Sequence, residues 1–170
     1  MEKVAADKKR KGGETSFVIR QRNLLVVLVS FPLVAVPLTA SDLSAHSGVL
    51  NKDVAVRMTL MSNMARSMGV LGKMLKKKTP FVQAKAADAI NTIEELAIET
   101  PDAFRKKVLD PKSEAKVLVW EEFPTFTKIS IDLATRAKQL SISMKSFNDL
   151  RPALITLSQG CKECHSKFRE

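Results

Sequence analysis

The sequence predicts an all-α protein, an antiparallel four-helix bundle, on three observations. Four separate stretches carry apolar residues at three- and four-residue intervals, the repeat of an amphipathic helix. The chain holds few strand-like runs, no internal repeat and no low-complexity segment. The links between the stretches are short except one, residues 101–118, and such a set of helices buries its stripes in one shared core.

The first stretch, Leu50 to Lys76, aligns Val54, Met58, Met61, Met64 or Ala65, Met68, Leu71 and Leu75. Asn51 or Asp53 suits its start and Thr79-Pro80 its end. Gly69 and Gly72 fall inside it, each costing about 1 kcal/mol against Ala in a helix interior. The second, Phe81 to Ile98, aligns Val82, Ala86, Ala89 with Ile90, Ile93 and Leu96 with Ala97. Its alanines permit close approach of a neighbour, and Thr100-Pro101 is expected to stop it. The third begins near Trp120, with Glu121 and Glu122 at its positive end and Pro124 in a first turn that tolerates proline. It runs through Phe126, Ile129, Leu133, Ala137 and Leu140. After an interruption near Ser146 to Asp149, with Asn148 or Asp149 as cap, the fourth carries Leu154, Leu157, Cys161, Cys164 with His165, and Phe168 on one stripe. Its thiols and histidine are therefore expected to point inward, at the end of the last helix.

Ahead of these helices, residues 1–23 hold seven Lys or Arg against three acids, and an uncharged apolar run extends from Leu24 to Ala40. A basic leader, an apolar run and a small closing residue make a secretory signal. The run is short for a membrane span, which needs ~20 apolar residues, and Pro32 and Pro37 break it. The chain thus divides into residues 1–40, a signal peptide, and residues 41–170, the helical domain. Cleavage is expected after Ala40 and location in the periplasm follows; retention of the run as an uncleaved anchor is the alternative.

The chain carries a net charge of +10, an excess that suits acidic partners or anionic surfaces. Lys76-Lys77-Lys78 is its densest basic spot, for which a solvated helix end with cations at the negative pole of the dipole is a sufficient account. An exported chain with no Tyr, one Trp and no recognisable binding motif is not expected to bind nucleic acid.

Both cysteines of the chain stand in GCKECHSKFRE, with a histidine directly after the second. A disulfide between them would close a tiny loop and constrain almost nothing. A thioredoxin-type pair belongs at a helix start after a strand, where the dipole lowers a thiol pKa, and this pair lies near a helix end. A zinc site would have two thiolates and one imidazole, with only His46 left, an ordinary exposed residue before the first helix. Cys-x-x-Cys-His matches covalent c-type haem attachment instead. Each thiol adds to a haem vinyl group, and the next residue then lies below the iron, where imidazole can ligate it. Exported thiols need such a use, because an oxidising compartment would otherwise couple them.

With GCKECHSKFR at its end, VLVWEEFPTF opening the third helix and VRMTLMSNM in the first, the chain resembles class II cytochromes c, the cytochrome c prime family. The resemblance runs from about Leu50 to the C-terminus, while LDPKSEAK replaces the family's usual Pro-Gly-rich loop between helices two and three. It implies one haem c near the C-terminus of the last helix, thioethers at Cys161 and Cys164, and His165 as proximal ligand. It further implies Arg57 near a haem propionate, Arg169 near the proximal histidine and Trp120 beside the haem. For Trp120 that role overlaps with a core anchor whose indole N–H needs a partner. Family members divide at the position of Met61: Leu or Phe there leaves the iron five-coordinate, whereas methionine usually ligates it. Five of the seven methionines lie between Met58 and Met74, so a Met-rich core stripe is the competing account. The Arg57-x-x-x-Met61 register selects Met61 over Met58 and Met64, which are assigned to packing.

The expected function is one-electron transfer by a His/Met-ligated haem, with lysines steering an acidic redox partner to the haem edge. A five-coordinate, gas-binding haem protein is the alternative, and a zinc or thiol-redox protein survives only without haem. No nucleophile–base pair or acid pair makes a recognisable enzyme site. Family members are often dimers through their first two helices, so the resemblance allows a homodimer.

Overall fold

The computed structural model describes residues 48–170; the expected signal peptide, its cleavage site and His46 lie outside the described residues. Four long helices form an antiparallel bundle: α1 Lys52–Leu75, α2 Gln83–Ala103, α4 Phe123–Ser143 and α5 Leu150–Phe168, with a single turn, α3 Leu118–Glu121, ahead of α4. There is no strand among the described residues, and no helix there is long and apolar enough to cross a membrane.

Asn51 caps α1, its side-chain oxygen accepting from the N–H groups of Asp53 at 2.9 Å and Val54 at 3.4 Å. The helix passes Gly69 and Gly72 unbroken, since both face open space. At the other cap, Ser146 is the capping residue, and Asp149 rather than Asn148 completes its box. The Asp149 carboxylate accepts from the N–H of Ser146 at 2.7 Å and of Lys145 at 3.0 Å, closing a capping box that leads through one 3-10 turn into α5.

Two expectations need correction. Thr100-Pro101 does not stop α2, which continues to Ala103 with Pro101 buried inside it. Proline removes the bond that the carbonyl four residues earlier would accept, and that carbonyl belongs to Ala97. Ser130 on α4 replaces the lost donor, its buried hydroxyl donating to Ala97 O at 2.7 Å. The third helix starts earlier, at Leu118, and is broken at Glu122 (φ −116°, ψ 40°). Pro124 would clash with the carbonyl of Trp120 in one continuous helix, and the break relieves that clash.

The core falls into two clusters. Toward the α1–α2 and α4–α5 turns, Leu71, Met74, Ile90, Met144, Leu150 and Leu157 are fully or almost fully buried, and the alanines of α2 and α4 bring those helices together. At the opposite end, Phe104, Val119, Phe126 and Phe168 form a small aromatic cluster, with Phe126 at 5.0 Å from Phe104 and 5.3 Å from Phe168 between ring centroids.

Candidate functional site

The aromatic end holds a cleft of about 330 Å³, open to solvent on one side, within the ~300–1,000 Å³ typical of cofactor sites. From α1 it is lined by Arg57, Met58 and Met61, and from α5 by Cys164, His165 and Phe168. Phe104, Val119 and Phe126 supply its apolar floor, and Glu114 with Arg169 lies at its edge. The sequence periods explain the convergence: Arg57 and Met61 are one turn apart on α1, as are Cys164 and Phe168 on α5, so each pair shares a face.

The two thiols straddle the two clusters. Cys161 packs against the aliphatic one and Cys164 against the aromatic one, and both are half-buried. Burial pushes both thiols up, Cys164 to about 11, with the charges of Cys161 and Glu163 adding to the effect. Thiolate exchange needs the anion, which this environment does not favour. At His165 burial lowers the imidazole pKa, the nearby Arg169 charge lowers it further, and Glu114 opposes. The ring therefore stays neutral, the form that ligates a metal.

Arg57 is 3% exposed and holds the long connection after α2 in place. Its Nε, Nη1 and Nη2 donate to the carbonyls of Ala103 at 2.9 Å, Val108 at 2.9 Å and Lys106 at 2.6 Å. The guanidinium also lies 4.7 Å from the Phe104 ring centroid and 5.3 Å from that of Trp120. Burial lowers its pKa and Asp53 offsets part of that. A side chain expected beside a propionate is thus also the central tie of the loop.

The same connection is fastened twice more. Asp110 accepts from the N–H groups of Leu50, Asn51 and Lys112 at 2.9–3.2 Å. Past α5, the chain pairs antiparallel with residues 114–116: Lys116 N–H donates to Phe168 O at 2.9 Å and Glu170 N–H to Glu114 O at 2.8 Å. The Arg169–Glu114 and Lys167–Glu122 ion pairs lie alongside.

The expected site residues therefore converge with one difference. Cys164, His165, Met61, Arg57 and Arg169 line the cavity, with Cys161 one turn before Cys164. Trp120 is half-buried outside the lining. Its indole N–H donates to Phe104 O at 2.8 Å, and Val119 takes the wall position. Among the methionines, Met64 is in the aliphatic core while Met58 lines the cavity beside Met61. Sequence reading passed over Glu114 and Phe104, which lie in the connection where no helical period marks them.

A covalently held haem fits this site. The donor set offers neutral imidazole and thioether sulfur from two different helices, adjacent thiols for two covalent bonds, and an apolar aromatic floor for a flat ring. Fold and cavity together define a helical-bundle haem protein of c type.

Comparison with known proteins agrees. The family model described as Cytochrome C' matches residues 52–169, and the chain belongs to that family. It is similar to cytochrome c-556 of Rhodopseudomonas palustris, 28% identical over 86% of this chain and 97% of that protein. It is also similar to a cytochrome c-554 of Cereibacter sphaeroides, 33% identical over 65% of this chain and 87% of that one. The solved structure of oxidized R. palustris cytochrome c556 superposes with a TM-score of 0.65 at 27% identity, covering 70% of this chain and 96% of that one. Haem c, covalently attached, is the cofactor of this family and of this chain.

Proposed function

We propose that the chain is an exported, periplasmic one-electron carrier in which His165 and Met61 are the axial ligands and Cys161 and Cys164 the thioether positions. The observation that carries the reading is that Met61 and His165 line one cavity from α1 and α5, while Met64 is sequestered in the aliphatic core. Haem iron, when bound there, supplies a reversible ferric–ferrous couple. The chain's residues do the rest. His165 offers a neutral nitrogen, and Met61 a soft thioether that favours the ferrous form. Phe104, Val119 and Phe126 exclude water from the site, which keeps reorganisation small. The cavity edge, with Glu114, Arg169 and Lys167 exposed or half-exposed, is the surface a redox partner meets, and unpaired lysines of the connection favour an acidic one.

The test is spectroscopic. The protein as isolated is expected to be low-spin, with haem that stays on the denatured chain through acid–acetone extraction. Met61→Leu should keep the haem, turn it high-spin and open it to carbon monoxide or nitric oxide. Met58→Leu should leave it low-spin. A wild-type protein that is already high-spin would replace the carrier reading with the gas-binding one.

A further inference from the structure

The end of the bundle remote from the cavity gathers cations from two turns that are far apart in sequence. Lys76, Lys77 and Lys78 follow α1, and Lys145 lies between α4 and α5, with Lys85 and Arg151 in the first turns of α2 and α5. The Lys77 ammonium lies 5.8 Å from the Phe147 ring centroid, so the two turns form one surface. None of these six has an ion-pair partner among the described residues; at the cavity end Lys106, Lys167 and Arg169 are each paired with an acid, while Lys52, Lys107, Lys112 and Lys116 are not. Of the two acids near this end, Asp149 is engaged by the N–H groups of Lys145 and Ser146, and Asp88 lies one turn after Lys85 on α2.

Stability does not account for this arrangement. Cations at helix C-termini suit the dipole, which covers the lysines after α1 and α4. Lys85 and Arg151 occupy helix N-termini, the positive pole, and neither α2 nor α5 has an acid in its first turn. Lys77 holds a left-handed backbone, φ 55°, a position where glycine is preferred. Three cations are thus retained at positions where local energetics favour other residues. Between them two apolar side chains project into solvent, Val82 at 40% and Ile142 at 65% exposure.

We infer that this end is a docking face for an anionic lipid surface, reversible and electrostatic, with Val82 and Ile142 entering the headgroup layer. The face is made of two turns at the tip of a bundle, with its lysines on long flexible stems. Such a convex, adjustable cationic tip matches a fluid plane of phosphate headgroups, for which charge and not shape sets affinity. Docking through it leaves the haem cavity at the other end directed away from the lipid and accessible to a partner. The inference is independent of which residue ligates the iron.

The haem-loaded protein is to be mixed with vesicles of phosphatidylcholine alone or with about one-third phosphatidylglycerol, and the pelleted protein read by its Soret absorbance. Partition should require the anionic lipid and fall steeply as salt shortens the screening length from about 10 Å at 0.1 M to about 3 Å at 1 M. Replacing Lys76, Lys77 and Lys78 with Gln should weaken the anionic-lipid-dependent partition on the order of 100-fold, at roughly fivefold per cation near the surface. The matched control, Lys52→Gln with Lys107→Gln and Lys112→Gln at the cavity end, should retain it within about threefold, the residual set by net charge alone. Unchanged Soret and far-ultraviolet spectra establish that both variants are folded. Equal partition onto the two vesicle types, equal loss in both variants, or binding to an acidic protein column with none to anionic vesicles would each overturn the inference.

Discussion

The aliphatic and aromatic ends of this bundle are held by different physics. At the turn end, Leu71, Ile90, Ile93, Leu150 and Leu157 are entirely buried, and α2 and α4 meet through alanines, so side chains alone fill the space. At the cavity end, about 330 Å³ is left to be filled by something other than side chains. The cavity end is accordingly tied by polar contacts: Arg57 to three carbonyls, Asp110 to three N–H groups, and the C-terminal residues to 114–116. A site for a large cofactor removes hydrophobic core from its own neighbourhood, and hydrogen bonds with buried charge hold the walls instead.

The largest break in that comparison is removal of the cofactor. The double variant Cys161→Ala with Cys164→Ala should lose covalent haem altogether. Its amide hydrogen exchange should rise by orders of magnitude at residues 104–119 and the end of α5, while Leu71, Ile90 and their neighbours remain protected. Uniform loss of protection would mean that the aliphatic end does not stand by itself.

Next comes Arg57→Met, which keeps volume but leaves three carbonyls without their donor. A destabilisation of about 3–5 kcal/mol is expected in denaturant titrations, since each bond to a charged group contributes ~1.5–3 kcal/mol and the carbonyls regain water in part. The fluorescence of Trp120, whose ring lies against the guanidinium, should report the loosened connection. Arg57→Lys should recover less than half of the loss, because one ammonium cannot serve three diverging carbonyls.

A smaller effect tests the seam between the ends. A Cβ on Gly160 would meet Leu133 Cδ1 at 2.9 Å, so in Gly160→Ala overpacking between α4 and α5 outweighs the ~1 kcal/mol gained by Ala in a helix and leaves a net cost of about 0.5–2 kcal/mol. Combined with Leu133→Ala it should cost less than the sum of the two single changes in a thermal-unfolding cycle.

The smallest effect at neutral pH separates the ends by their carboxylates. Backbone N–H groups, that of Lys112 foremost, hold Asp110 below the usual carboxylate range, and those of Lys145 and Ser146 do the same for Asp149. A depressed folded pKa means stability that is complete above the unfolded value of about 3.9 and lost as pH falls through the folded one. Asp110→Asn should flatten the acid transition read at the Soret band, whereas Asp149→Asn should flatten the one read in the far ultraviolet.

Much of this was legible in the sequence because it is local. The three-four spacing of Val54 to Leu75 and of Leu154 to Phe168 specifies α1 and α5, since a side chain's face depends on its own position in the repeat. CKECH specifies covalent attachment because both thiols and the imidazole lie within one and a half turns. Other features were hidden because they depend on groups that look alike in sequence. Every residue has a carbonyl, so nothing in the local pattern marks Ala103, Lys106 and Val108 as the partners of Arg57, or Ala97 O as the acceptor from Ser130. Pro101 reads as a terminator until a hydroxyl 33 residues away is brought to the carbonyl it orphans.

The amino-acid sequence by itself therefore determined the helical bundle, the haem-attachment motif and the position of Met61 one turn from Arg57. Only the tertiary structure decided how the walls of the hollow end are fastened, that Val119 and not Trp120 lines the cavity, and that lysines from two distant turns share one face. Periodicity reports which side of its own helix a residue occupies, but the distance between two helices is set by the side chains of both.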